Sequence, residues 1–224
     1  MANEARPDGP LLRASAEIHA GRLTCAALLE RSLQAAIDHG AKTGAIVTVL
    51  EDQARRAADE LDAELRAGRW RGPLHGIPIT VKDNIDVAGA PTLAGSAAYA
   101  ERPRADATAV QRLREAGAVI VAKVATHEFA LGVTTPQARH PQDPSRIPGG
   151  SSGGSAISIA TGMALGSVGT DTRASIRVPA ALCGVTGFKP TYGLIPADGI
   201  VWLSWTMDHI GLLAGSVGDA ACLV

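Results

Sequence analysis

The chain has 224 residues, 46% of them hydrophobic and 19% charged, enough to bury a core and too apolar for a disordered segment. Lys and Arg number 21 against 22 Asp and Glu, and a net charge of −1 lacks the basic excess of a general nucleic-acid or anionic-membrane binder. Aromatic residues are only 3%, which leaves little for base stacking and assigns the core to aliphatic side chains and alanine.

The first residues, MANEARPDGPLL, are polar and hold no apolar signal core. Apolar runs elsewhere fall far short of the ~20 residues of a membrane helix, so a cytoplasmic protein without membrane contact is expected. Apolar residues at helical spacing then run from Leu12 to Ile37, broken at Gly21, with Thr24 as a cap and Gly40 as the end. Residues 45–50 predict a short strand. Residues 51–67 predict a helix with Ala54, Ala58, Leu61 and Leu65 inward, stopped by Gly68. Residues 77–81 (IPITV) predict a strand that runs into the polar turn Lys82-Asp83-Asn84. A helix over 106–117 and a buried strand over 118–122 complete a β-α-β rhythm, which argues for an α/β sheet. Residues 132–150 form a long loop. A helix over 156–163, a short strand over 164–169, a helix over 178–183 and a turn at 190–193 follow. Ser216 with Asp219 three residues later resembles a capping box and starts a last helix, which reaches Val224 without a C-cap. So short a helix needs a packing partner, and the chain is expected to be the front part of a longer protein.

Chemistry concentrates in three places. Gly149-Gly-Ser-Ser-Gly-Gly-Ser155 reads either as a flexible linker or as a structured loop presenting N–H groups at a helix start. It lacks the Lys of a phosphate loop, and no dinucleotide fingerprint is present. Gly169 to Pro179 carries Ser175 in a polar turn entering a helix, either a cap or an exposed nucleophile. Lys82 ends an apolar strand, where burial would lower its pKa. Three cysteines, Cys25, Cys183 and Cys222, are too scattered for a disulfide framework or a zinc site and read as buried thiols. His127-Glu128 lacks the second His of a metalloprotease motif. His75 and His209 read as structural, and Trp202 and Trp205 as either pocket or core residues.

Taken together, HGIPITVKDNIDVAG (75–89), PGGSSGGSAISIATG (148–162) and GTDTRASIRVPAALCGVTGFKPTYG (169–193) strongly resemble the amidase signature family. HEFALGVTTP (127–136), DPSR (143–146), SWTMDHIG (204–211) and VGDAA (217–221) support the likeness, which runs along the chain in family order. The resemblance implies one amidase signature domain over 1–224, with a mixed sheet covered by helices on both faces, apparently truncated. It implies a Ser–cis-Ser–Lys set with Lys82 as base, Ser151 as bridge after a cis peptide, and Ser175 as nucleophile. Thr172, Arg173, Ala174, Gly149 and Gly150 would contact substrate, and backbone N–H groups of residues 172–175 would form the oxyanion hole. Asp171 and Arg177 would support the loop. No metal or cofactor is implied.

The chemistry agrees with the residue types. Serine needs a base to be a nucleophile, and neither cluster has a suitable His, so a neutral Lys82 would take the proton through Ser151. The departure is at Arg173 and Ala174, where the family usually has two glycines. If Arg173 needs a positive φ it is strained by ~1–2 kcal/mol; if φ is negative, only its N–H matters. The expected activity is hydrolysis of a small-molecule carboxylic amide through an acyl-serine. The alternatives are the A-type glutaminase subunit of a tRNA-dependent amidotransferase, and an inactive amidase-like binding module. A homodimer is open, as are partner subunits for the amidotransferase reading.

Overall fold

A computed structural model describes residues 9–224; the polar stretch 1–8 lies outside the described residues. The helices are α1 (Pro10–His19), α2 (Cys25–Thr43), α3 (Glu51–Arg66), α4 (Thr108–Glu115), α5 (Gly153–Ala160), α6 (Arg177–Cys183) and α7 (Val217–Cys222). The strands are β1 (Ile46–Val49), β2 (Pro78–Lys82), β3 (Val119–Val124), β4 (Gly166–Asp171), β5 (Thr186–Phe188) and β6 (His209–Ala214). They form one mixed sheet in the order β1-β3-β2-β4-β6-β5. The inner strands β3, β2 and β4 are parallel, and β1, β6 and β5 join antiparallel.

Alternation along the strands sends side chains to two cores. Ile79 and Val81 of β2, Val168 of β4 and Ile210 and Leu212 of β6 join the larger one, under α1–α4. Leu213 of β6 joins the smaller one with Ala156, Ile157, Ile176 and Ala180 of the α5–α6 side. Each fully buried aliphatic side chain contributes about 1.5–3 kcal/mol, so both faces of the sheet are stabilised by helices.

Most elements stand where the sequence predicts them. Thr24 caps α2, its hydroxyl accepting from the Ala27 N–H at 3.0 Å. The helix runs past Gly40, however, and ends at Gly44 in the left-handed conformation. Gly40 stays helical because it packs against Ile46; a Cβ there would meet the Ile46 side chain at 3.1 Å. Helix α5 begins at Gly153, three residues before its predicted start. The glycines fit there because Gly154 lies against β3's end, where a Cβ would meet the Ala125 nitrogen at 2.4 Å. Strands β5 and β6 were not expected. Helix α7 does start at Ser216, whose hydroxyl accepts from the Asp219 N–H at 3.0 Å. It closes on Leu223, whose N–H reaches Ala220, which corrects the expected lack of a C-terminal end. Its packing partner is α1, since Asp219 accepts from the Leu11 and Leu12 N–H groups at 3.3 and 3.1 Å. Trp202 and Trp205 are exposed, Trp205 at 77%, so the core reading of these two is wrong. No helix among the described residues is long and apolar enough to cross a membrane.

Candidate active site

The site lies at the carboxyl ends of β2 and β4, where open α/β sheets commonly bind ligands. Thr80 and Lys82 alternate away from Ile79 and Val81, into a buried polar layer. Thr80 Oγ1 meets Ser158 Oγ at 2.7 Å and Ser167 Oγ at 2.9 Å. One step further, Lys82 is fully buried, its Nζ at 2.7 Å from both Ser151 Oγ and Thr170 Oγ1. Asn84 donates to the same Thr170 hydroxyl at 3.3 Å. No carboxylate among the described residues pairs directly with the amine. Burial pushes it down to about 7, against the opposing pull of Asp208 and Asp171.

Ser151 follows the one cis peptide among the described residues, Gly150–Ser151. Only glycine fits at 150, where a Cβ would meet the Thr134 carbonyl oxygen at 1.9 Å. Thr135 fixes this turn: its hydroxyl donates to the Gly149 carbonyl at 2.9 Å and accepts from the Gly153 N–H at 3.1 Å. The Ser152 N–H donates to the Ser175 carbonyl at 3.0 Å, and the Gly154 N–H to the Ala125 carbonyl at 3.0 Å. The glycine loop is thus structured at the start of α5, not a flexible linker, and its amides at residues 152–154 turn inward onto protein acceptors. Gly149 and Gly150 are themselves buried.

Ser175 lies on the turn between β4 and α6, 8% exposed, and its hydroxyl makes no hydrogen bond to a described residue. The Ser152 contact with its carbonyl, and Ser152 Oγ donating to the Thr170 carbonyl at 3.1 Å, bring this turn against the Lys82–Ser151 pair. The N–H groups of Thr172, Arg173, Ala174 and Ser175 donate to no described residue. Arg173 and Ala174 are not among the residues with positive φ, and Arg173 is exposed, so the strained alternative for the departure does not apply.

Asp171 is the anchor of this turn. It accepts from Arg177 Nε and Nη2 and from the Ile176 N–H, all at 3.1 Å, and pairs with Lys189 at 3.2 Å. Burial alone would raise its carboxyl pKa; those donors hold it below the ordinary value. Thr170, Thr135, Asp208 and Lys189 escaped the sequence reading. Asp208 and Lys189 stood in motif strings, SWTMDHIG and GFKPTYG, without a side-chain role. Threonines at strand ends and loops carry no signal of their own.

The remaining candidates lie apart. His75 is buried, held by the Leu61 carbonyl at 3.0 Å, and His209 packs edge-on to Tyr192. Burial pushes the Cys25 thiol up to about 12 and Cys183 up to about 11, so neither is a ready thiolate. His127 and Glu128 belong to no group of three or more metal-ligating side chains among the described residues.

A family model described as Amidase matches residues 27–224. The chain is 46% identical over 181 residues to an amidase of Pseudomonas putida, covering 80% of this chain and 39% of that protein. It is 44% identical over 220 residues to the A-type subunit of the glutamyl-tRNA(Gln) amidotransferase of Anaeromyxobacter dehalogenans, covering 96% of this chain and 45% of the relative. The X-ray structure of a native peptide amidase from Stenotrophomonas maltophilia superposes with a TM-score of 0.91 at 38% identity, over 99% of this chain and 47% of that one. The chain thus spans less than half the length of these relatives. On the family match, these identities and the shared architecture, the chain belongs to the amidase family.

Proposed function

We propose that the chain carries the catalytic centre of an amide hydrolase, with Lys82, Ser151 and Ser175 as its working groups. The observation that carries this reading is the buried Lys82 amine, 2.7 Å from Ser151 Oγ and pushed down to about 7. A neutral amine has a lone pair; a protonated one cannot act as a base.

Ser175 Oγ attacks the substrate carbonyl carbon. Its proton passes to Ser151 Oγ while the proton of Ser151 passes to Lys82 Nζ. The developing oxyanion is met by the free N–H groups of residues 172–175. When the tetrahedral intermediate collapses, the C–N bond breaks and the nitrogen takes the proton back from Lys82 through Ser151. Water then releases the acid from acyl-Ser175 by the same relay. Gly149 and Gly150, beside the bridge, and the 172–174 loop line the space for the acyl group. A carboxylic amide of small size is the proposed substrate.

The likeness to an amidotransferase A-type subunit over 96% of the chain supports a second reading, glutamine as substrate with partner subunits receiving the ammonia. Both readings require the same serine. Ammonia release from a panel of primary amides, glutamine included, checks them. Ser175→Ala is expected to lose activity by about 10³-fold or more, and activity within about threefold of the parent would contradict the assignment. Glutamine turnover only with co-purifying subunits would favour the amidotransferase.

A further inference from the structure

Two cationic side chains hold the loop before Ser175 by consecutive backbone carbonyls. Lys189 Nζ lies 2.9 Å from the Thr172 carbonyl oxygen. The Arg177 guanidinium donates to the Arg173 carbonyl oxygen while holding Asp171. Neither the 172–173 nor the 173–174 peptide is cis. In a planar trans peptide the C=O and N–H point in opposite directions. A cation on the Thr172 carbonyl therefore fixes the opposite heading of the Arg173 N–H, and one on the Arg173 carbonyl does so for Ala174. Those two N–H groups donate to no described residue.

We infer that Lys189 is a positioning residue of the oxyanion-binding loop, clamping the Thr172 carbonyl so that the Arg173 N–H faces the reacting carbonyl. This rests on the catalytic reading of Ser175. Lys189 directly follows β5 at the sheet edge and reaches across to the loop, where it also meets Asp171 at 3.2 Å. Asp208 fixes the other side of Thr172 by accepting from its hydroxyl, and is itself held by the Leu203 and Ser204 N–H groups at 2.7 and 3.1 Å. A hydrogen bond accepted by a peptide carbonyl also polarises its N–H, which strengthens that donor. The carbonyl clamps fit the non-glycine residues Arg173 and Ala174, whose own φ angles are not positive. The N–H headings are set by tethers on the carbonyls, and neither residue needs a positive φ.

The test uses the small activated ester p-nitrophenyl acetate with the intact protein, Ser175→Ala, Lys189→Met and Lys189→Arg. Lys189→Met is expected to lower kcat by about tenfold or more with KM within about twofold, because the loss falls on the transition state. Its melting temperature should stay within about 3 °C of the parent, and Lys189→Arg, which keeps a cationic donor, should recover most of the lost kcat. A kcat for Lys189→Met within about threefold of the parent overturns the inference, as does a loss carried equally by KM. If the Met variant fails to fold, the Arg variant decides: folded but no better than a tenth of parental kcat, it contradicts the clamp. Undiminished hydrolysis by Ser175→Ala would instead remove the catalytic reading, and the clamp with it. Loss in Ser175→Ala without loss in Lys189→Met leaves that reading intact and rejects the clamp alone.

Discussion

Lys82 is where stability and chemistry pull in opposite directions. Its amine is buried, has no direct carboxylate partner among the described residues, and is pushed from 10.5 to about 7. Between those two values the unfolded chain holds one proton more than the folded one, so folding stability rises with pH across that window. Below about 7 both states are protonated and the whole burial penalty applies. Lys82→Met is therefore expected to be more stable than the parent near pH 6, by about 1–3 kcal/mol after the loss of hydrogen bonds to Ser151 and Thr170. That advantage should fade as pH climbs toward the unfolded-state value. The same group predicts that kcat/KM of the parent rises through pH ~7 to a plateau, as Lys82 loses its proton. Urea melts of the two proteins at several pH values and a pH–rate profile check both. A variant less stable at pH 6, or a profile flat from pH ~5 to ~9 with chemistry limiting, would contradict the account. The identity of Lys82 was legible as the charged end of an apolar strand. Thr170, which shares its amine, was not, because a threonine next to a strand end has the same sequence context whether or not a lysine from another strand reaches it.

At the scale of elements, strands with clean boundaries were readable and those defined by their neighbours were not. IPITV ends in a polar turn and announces β2, whereas β6 (HIGLLA) is buried at five of its six residues and shows no alternation. β5 is three residues long and exists because β6 pairs with it. Ser216 and Asp219 were legible as a helix start, but the Asp219 carboxylate turns out to serve another helix, the N-terminus of α1 more than 200 residues away in sequence. The negative charge there also suits the positive end of the α1 dipole. Asp219→Ala should thus destabilise the fold by about 1–2 kcal/mol, by uncapping α1 and loosening it from α7. Equilibrium denaturation measures this; a change below about 0.3 kcal/mol would show that the capping contact carries no weight.

Across the whole molecule, three segments meet at one edge of the parallel inner strands. They are the end of β2, the turn before α5 and the turn after β4. Lys82, the glycine loop and Ser175 each stood out in the sequence by their own context, and likeness of motifs joined them with Ser151; positions 82, 151 and 175 have no spacing that predicts proximity. The structure supplies the reason for their meeting: β2 is flanked by β3 and β4, and α5 enters the sheet through the Gly154–Ala125 contact. The buried Lys123–Asp83 pair, at 3.1 Å, adds a charge-neutral tie between β3 and the start of the loop after β2. Burial lowers the Lys123 pKa and raises that of Asp83, so the pair's contribution is fixed geometry more than net stability. What the sequence could not reveal is the heading of backbone groups, which sets the free N–H groups of residues 172–175. The proposed chemistry stands or falls with Ser175 as the nucleophile. Its most direct test is peptide mass mapping of the protein after reaction with a fluorophosphonate, in the parent and in Ser175→Ala. One adduct is expected, on Ser175, absent from the variant and slowed in Lys82→Met. An adduct on another residue, or equal labelling of Ser175→Ala, would contradict it.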